Sequence, residues 1–339
     1  MPTHFSNLAY AYSKPTVTGQ LKQSPADFKV IEQLSFVPSG EGEHLFLYIQ
    51  KIERNTVDVC ETLANHFKVH PRHVAYAGLK DRNAITTQWF SLPFPIKSIP
   101  DIAGLESDTL KVIDSSRNTK KLKRGAIKFN QFEIAVRNLQ GDIADLNKRV
   151  QIIIEQGVPN YFGEQRFGRN ESNLDNAKKL FSGKIKCSRN KKSIFISAAR
   201  SFLYNEVVSQ RVKDESWNTL LLGDVAVLNE SRSFFVVDNN DVDIQQRLEQ
   251  GDIHPSAPLW GKGESLSLHK VKQLEETIIN THQSVANGLV EQGLQQDRRS
   301  TRLLANNLQF NLIGDTLSLS FSLPSGAYAT SVLREIVNT

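Results

Sequence analysis

The chain has 339 residues, 39% of them hydrophobic, which is enough for two domains with buried cores. Its formal net charge of +5, from 41 Lys and Arg against 36 Asp and Glu, is too small an excess to identify a nucleic-acid-binding protein by itself. Cys60 and Cys187 match no metal-binding spacing, and neither a signal-peptide pattern nor an apolar run of about 18 residues is present, so we expect a soluble cytoplasmic protein.

Two strands and a helix are predicted before residue 70. Phe28–Glu32 and Leu45–Gln50 have strand-type composition, and each is entered from a turn. Asn55 is a candidate N-cap of a helix that ends before Pro71. The apolar residues of that helix fall at helical spacing: Val59, Cys60, Leu63 and Phe67. His44 has no partner at metal spacing, which favours a polar loop or strand-edge role over a metal ligand.

The next segment places a carboxylate between two short strands. Val74–Ala77 and Ile85–Leu92 read as strands, and Asp81 stands in the loop between them. The neighbouring cations, Lys80 and Arg82, would favour the ionised carboxylate. Such a group can act as nucleophile, base or electrostatic stabiliser. The structural alternative is a turn residue, because Asp side chains often bond to local backbone amides.

A basic cluster precedes a further strand. Arg117–Lys128 contains six cations and no acid, which suits phosphate contacts, although a solvated face has the same composition. Phe132 begins an alternation that predicts a strand with one buried face. Asn130 can present a donor and an acceptor to a uracil edge, and Phe132 can stack on a base. A turn Asn and a core Phe are equally consistent with the pattern.

A helix from Asp142 to Gln156 leads into a block rich in Gly and aromatic residues, Gly157–Gly168. Its glycines do not match a dinucleotide fingerprint, and no Walker-type motif occurs in the chain. Arg166 and Arg169 are candidate contacts to a nucleic-acid backbone. Structural pairing with Glu164 is an equal possibility.

The rest of the chain is predicted to be helical first and strand-rich at the end. Basic clusters lie at Lys184–Lys192 and Arg298–Arg302, and both are candidate backbone contacts. The predicted helices cover 197–213, 265–280, 283–294 and 328–336. The predicted strands cover 223–228, 234–237, 308–312 and 316–323, with a loop at 254–261.

Five stretches, in the same order, resemble the tRNA pseudouridine synthase D (TruD) family. The most specific is Gly78-Leu79-Lys80-Asp81-Arg82-Asn83-Ala84-Ile85-Thr86, followed by Gln88-Trp89. The others lie around Phe28, around Asn130, at Pro159–Gly168 and at Pro324–Glu335. Leu79 departs from the family pattern, which usually has a small or polar residue between the Gly and the Lys.

The resemblance implies an α/β (α+β) fold with a pseudouridine synthase-type catalytic domain built on a mixed, largely antiparallel sheet. That domain would be discontinuous, formed by residues 1–155 and 306–339. Residues 156–305 would form the inserted TRUD domain of the family, itself of α/β type.

The resemblance also implies an activity: isomerisation of a uridine in tRNA to pseudouridine, at nucleotide 13 in the D-arm of tRNA(Glu). No metal, nucleotide or redox cofactor would be needed. Asp81 would be the catalytic carboxylate acting at ribose C1′, by the logic of glycosidic chemistry. The implied substrate-binding residues are Phe28, Lys80, Asn130, Phe132 and Tyr328, where Tyr328 replaces a Phe that is common in the family. By sequence pattern alone, Phe28 is a core residue and Tyr328 packs a helix on a sheet.

Several alternatives stay open at the level of the sequence. Asp81 could form a covalent bond to C1′ or stabilise an eliminated intermediate. A non-catalytic RNA-binding protein could use the same basic faces, and a hydrolase could release the free base, although no second carboxylate is placed near Asp81. No feature sets the oligomeric state, and we favour a monomer.

Overall fold

The computed structural model describes residues 5–229, 231, 233–238 and 242–339. Within these, the chain forms two compact units. The sheet unit comprises residues 16–145 and 305–326 together with Thr339, and the helical unit comprises the described parts of 1–15, 146–304 and 327–338. The domain division at residues 155 and 306 was drawn from family resemblance, and it stays a prediction.

The strands are β1 (Thr18–Leu21), β2 (Phe28–Leu34), β3 (His44–Ile52), β4 (Ala75–Tyr76), β5 (Ile85–Pro93), β6 (Leu110–Asn118), β7 (Ile127–Gln140), β8 (Val158–Pro159), β9 (Val225–Leu228), β10 (Phe234–Val236), β11 (Ile253–Leu259), β12 (Asp297–Ser300), β13 (Arg302–Leu303), β14 (Asn306–Ile313) and β15 (Thr316–Pro324). The α-helices are α1 (Thr56–His66), α2 (Ile143–Gln156), α3 (Ser172–Phe181), α4 (Arg189–Lys213), α5 (Val242–Glu249), α6 (His269–Thr281), α7 (Gln283–Glu291) and α8 (Ala329–Ile336).

The sheet unit is built on one mixed sheet with the strand order β14-β15-β7-β2-β5-β3-β6. β1 pairs with the second half of β7, and β4 pairs with β5. All pairs are antiparallel except β2 with β5. The predicted alternation is confirmed on β7 and β15. The apolar residues at even-numbered positions of β7 and at odd-numbered positions of β15 are buried: Phe132, Ile134, Val136, Leu317, Leu319, Phe321 and Leu323. The predicted mixed-sheet α/β fold is therefore confirmed.

Helix α1 covers part of this sheet. It begins after Asn55, whose side chain and Asp58 satisfy the first turn as a capping box. Its buried stripe packs with Leu45, Leu47 and Ile49 of β3 in one apolar cluster. The cluster includes Cys60, and burial raises the pKa of its thiol to about 12. The expectation that Cys60 is a core residue is confirmed.

The helical unit packs α3, α4, α6 and α7 around one apolar core. Helix α4 begins at Arg189, eight residues before the predicted start, and Ser188 caps it by accepting from the Lys191 amide. Cations in a first turn oppose the helix dipole, so composition alone placed the start too late. Gly157 follows the last residue of α2, and its φ of +79° and close approach to the Leu303 carbonyl oxygen require glycine.

The predicted loop at 254–261 is wrong. Strand β11 occupies most of it and pairs antiparallel with β9 on one side and β12 on the other. Pro255 and Pro258 are unusual in a strand that is paired on both sides, because proline lacks an amide donor. Their carbonyls still accept, as the 2.9 Å bond from the Thr301 amide nitrogen to the Pro255 oxygen shows. The predicted pair of strands before it is confirmed as β9 with β10.

Candidate active site

Asp81 lies in the loop between β4 and β5, and residues of α1 and β5 hold that loop in place by hydrogen bonds. The Lys80 amide donates to Thr56 Oγ1 at 3.0 Å, and Thr56 in turn donates to Gln88 Oε1 at 3.0 Å. Gln88 Nε2 donates to the Gly78 oxygen at 3.0 Å. These bonds tie the segment before Asp81 to the start of α1 and to β5. The carboxylate itself stays 30% exposed, so it is accessible on a rigid support.

The cation beside Asp81 is Lys22, which corrects the expectation from the local sequence. Lys22 Nζ lies 2.7 Å from Asp81 Oδ2 and 4.1 Å from the ring centroid of Phe28. Lys22 follows β1 with a backbone φ of +56°, a left-handed conformation that residues other than Gly, Asn and Asp seldom adopt. The two sequence neighbours point elsewhere, since Lys80 pairs with Glu32 and Arg82 donates weakly to the Glu53 carbonyl.

Lys80 and Glu32 form a buried ion pair beneath the loop. The Glu32 side chain is fully buried and that of Lys80 nearly so. The second carboxylate oxygen of Glu32 accepts from the Trp89 amide at 3.1 Å, which ties the pair to β5. A buried charge is tolerated only when it is paired and hydrogen-bonded, as both are here. Lys80 thus helps to hold the loop through Glu32, and its predicted contact with the substrate stays a prediction.

Lys51 is a second buried cation under Asp81. Its Nζ donates to the Asp81 carbonyl oxygen at 2.7 Å and to the Arg54 carbonyl oxygen at 2.6 Å. Burial lowers the pKa of Lys51 from 10.5 to about 8, against an opposing effect of the Asp81 carboxylate. Lys51 thus fixes the backbone of the loop while Lys22 contacts its side chain.

Replacing Lys51 with Met should change how stability depends on pH. The folded pKa of about 8 lies below the unfolded value of 10.5, so the unfolded state binds more protons between these values. The free energy of unfolding of the wild type should therefore rise with pH in this window relative to that of Lys51→Met. Urea unfolding of both proteins from pH 7.5 to 10 measures the difference. Parallel curves would show that Lys51 titrates normally in the fold.

Two of the three aromatic residues predicted at the site, Phe28 and Phe132, lie together on the sheet. Phe28 meets Phe132 edge-to-face at 6.2 Å between centroids, and Phe132 stacks on Phe321 at 5.5 Å. Both predicted rings are buried, as the core alternative required. Asn130 lies on the same strand in register with Glu32, so it is a strand residue and not a turn residue. Its Oδ1 is buried and accepts no hydrogen bond from the described residues.

Tyr328 belongs to the helical unit, where it precedes α8. Its hydroxyl accepts from Arg166 Nε at 2.9 Å, and Arg166 also donates to Ser197 Oγ at 3.0 Å. The ring meets Phe162 edge-to-face at 6.1 Å. The contacts of Arg166 therefore favour a tyrosine partner over the alternative pairing with Glu164.

The three basic clusters differ in their availability. In the first, Arg117 donates to four backbone carbonyls, whereas the other cations are exposed: Lys120, Lys121, Lys123, Arg124 and Lys128. The second is also exposed, around the start of α4. In the third, Arg298 forms a buried ion pair with Glu275, and buried Arg302 donates to backbone carbonyls. The donors of Arg298 and Arg302 are engaged inside the protein, which counts against direct RNA contacts from these two residues, and a role of the cluster in RNA binding stays a prediction.

Sequence reasoning missed three residues of the site: Lys22, Glu32 and Lys51. Two of them carry a signal in the sequence, because each continues the buried side of a strand's alternation. Glu32 follows Phe28 and Val30 in β2, and Lys51 follows Leu47 and Ile49 in β3. A charge in that phase indicates a buried partner. Among the described residues, no group of three or more His, Cys, Asp and Glu side chains could hold a metal ion, and no helix is long and apolar enough to cross a membrane.

The fold is similar to that of a solved structure. A crystal structure described as the putative tRNA pseudouridine synthase D (TruD) from Methanosarcina mazei matches with a TM-score of 0.75, covering 98% of this chain and 96% of that chain at 22% identity. At this identity the match establishes the shared fold.

Sequence comparison identifies the family. The profile described as tRNA pseudouridine synthase D (TruD) matches residues 5–186 and 185–336. Proteins named tRNA pseudouridine synthase D are 43% identical in Methylococcus capsulatus, covering 98% of this chain and 95% of the relative, and 44% identical in Nitrosococcus oceani, covering 98% and 94%. The chain belongs to the tRNA pseudouridine synthase D (TruD) family.

Proposed function

We propose that this protein isomerises a uridine of tRNA to pseudouridine, at nucleotide 13 in the D-arm of tRNA(Glu), with Asp81 as the catalytic carboxylate. The observation that carries the proposal is the support of Asp81. An accessible carboxylate lies 2.7 Å from Lys22 Nζ on a loop fixed by buried Lys51 and by the Lys80–Glu32 pair. This loop bears the motif by which the sequence resembles the family.

The reaction needs one bond broken and one formed at the same carbon. The N1–C1′ bond breaks, the uracil turns, and C5 bonds to C1′ while the C5 proton is lost and N1 gains one. Nothing is oxidised or reduced. Asp81 can serve this exchange by bonding to C1′ or by stabilising positive charge there, and its partner Lys22 orients the carboxylate.

The target base must leave its stack to reach such a carboxylate, which costs a few kcal/mol. Asn130 has the chemistry to receive it, because its buried Oδ1 lacks a donor and the uracil N3–H is one. Phe28 and Phe132 are largely buried and pack edge-to-face on the two strands that carry Glu32 and Asn130, so they would form the wall of this site and not an open stacking platform. We assign the same substrate-facing role to Tyr328 by family resemblance.

The test is pseudouridine mapping on a tRNA(Glu) transcript. Wild-type protein should form one pseudouridine at nucleotide 13, and a transcript with cytidine at that position should remain unmodified. Pseudouridine at another position would overturn the site assignment and keep the activity. Release of free uracil would support the hydrolase alternative, and binding without conversion would support the RNA-binding alternative.

The exposed cations of the first basic cluster should contribute to binding by contacting phosphates. We expect Lys120→Gln with Lys123→Gln to weaken tRNA binding uniformly across tRNA sequences. Each lost phosphate contact should lower the slope of log affinity against log salt by about one. Filter binding from 50 to 300 mM salt measures the slope. Lys97→Gln, at an exposed site outside the cluster, is the control, and equal slopes for all three proteins would exclude the contact.

A further inference from the structure

Leu79 is a large apolar side chain that the fold leaves in solvent beside the catalytic carboxylate. It is 69% exposed and lies two residues before Asp81. A single exposed leucine is ordinary on a protein surface. The position of this one is not ordinary, because both of its chain neighbours are anchored: the Gly78 oxygen accepts from Gln88, and the Lys80 amide donates to Thr56. The loop therefore holds an apolar tip in place.

A cationic loop is held against the same segment. The Gly125 amide donates to the Ala77 oxygen at 3.1 Å, and Leu122 packs in one apolar cluster with Ala77. Between and beside these anchors lie exposed cations: Lys120, Lys121, Lys123 and Arg124. Leu79 thus forms an apolar tip beside a cationic rim made of these four side chains. Such a surface suits a polyanion that contains layers of apolar groups. That description fits stacked nucleic-acid bases flanked by their phosphates, and it does not fit an apolar protein surface.

We propose that Leu79 is a wedge that enters the base stack of the RNA and takes the place of the extruded target uridine. Proteins that unstack bases commonly insert Leu, Ile, Phe or Met between base steps. The wedge would offset the loss of stacking when the base leaves, while the cationic rim holds the flanking phosphates. The proposal rests on the proposed function and adds a residue that acts on the RNA and not on the reacting atoms, so Leu79 is a positioning residue.

The test compares two substrates that differ in how hard the uridine is to extrude. One is a D-arm RNA with the target uridine in its helix. The other carries an abasic site opposite that uridine, which loosens it in advance. Leu79→Ala should reduce single-turnover pseudouridine formation on the intact RNA by about 10- to 100-fold and on the abasic-opposed RNA by less than about threefold. Leu79→Met, which keeps an apolar side chain of similar volume, should stay within about threefold of wild type on both.

Extrusion itself gives a second readout. With 2-aminopurine beside the target, wild-type protein and Leu79→Met should raise its fluorescence on binding, and Leu79→Ala should do so much less. Equal losses of rate on both substrates would mean that the alanine disturbs the loop. Unchanged rates on both would mean that Leu79 does not contribute to extrusion. Either result overturns the wedge. If wild-type protein converts neither substrate, the proposed function fails, and the wedge fails with it.

Discussion

Asp81→Asn should abolish pseudouridine formation while leaving the protein folded and able to bind tRNA. Asparagine has the shape of the carboxylate but neither bonds readily to C1′ nor stabilises positive charge there, and removing such a group typically costs at least about 1,000-fold in rate. Stability should change little, because Asp81 and Lys22 are 30% and 27% exposed, and ion pairs at such sites contribute about 0–1 kcal/mol. Single-turnover rates on tRNA(Glu), with unfolding and binding measured in parallel, test all three parts.

Asp114→Asn supplies the matched control, because Asp114 is an exposed acid on β6 of the same sheet. It should keep the wild-type rate. If Asp81→Asn also keeps that rate, Asp81 is a structural loop residue and the proposed mechanism is wrong. If it loses both rate and tRNA binding, the carboxylate acts in forming the complex, and its role at C1′ is unsupported.

Local patterns predicted the strands and helices that frame this carboxylate. Alternation in β7 and β15 and the capped stripe of α1 depend on residues two to four positions apart, and the structure confirms them. The partners of the site depend on tertiary structure instead. Lys22 and Asp81 are 59 positions apart in the sequence and follow different strands, yet a 2.7 Å hydrogen bond joins their side chains.

The same limit explains why the adjacent cations were misread. Lys80 and Arg82 flank Asp81 in sequence, but the backbone of this loop is irregular, so adjacency in the sequence does not set which groups the side chains contact. Lys80 reaches Glu32 of β2 beneath the loop. Glu32 falls at a buried position in the alternation of β2. A carboxylate at such a position is the sequence signal that a cation from elsewhere in the chain pairs with it.

Glu32→Gln should destabilise the protein strongly, because it leaves the Lys80 ammonium buried without a counter-charge. Breaking a buried ion pair by changing one partner costs about 3–5 kcal/mol. The side chains of Glu32 and Lys80 are 0% and 6% exposed, and Glu32 also accepts from the Trp89 amide, so no water can readily replace the carboxylate. Urea unfolding at neutral pH measures the loss, and pseudouridine formation well below the new melting temperature should fall as well, because the pair supports the Asp81 loop.

Strand β2, which carries Glu32, also supplies the control. Lys29 and Glu133 form an ion pair of similar geometry between β2 and β7, at 3.2 Å, but each side chain is 43% exposed. Glu133→Gln should therefore cost at most about 1 kcal/mol. Glu32→Gln combined with Lys80→Met should recover part of the loss, since the uncompensated charge is gone. If Glu32→Gln and Glu133→Gln prove equally mild, the burial of the pair does not set its strength, and the loop must depend on Lys51 and Thr56 for its support.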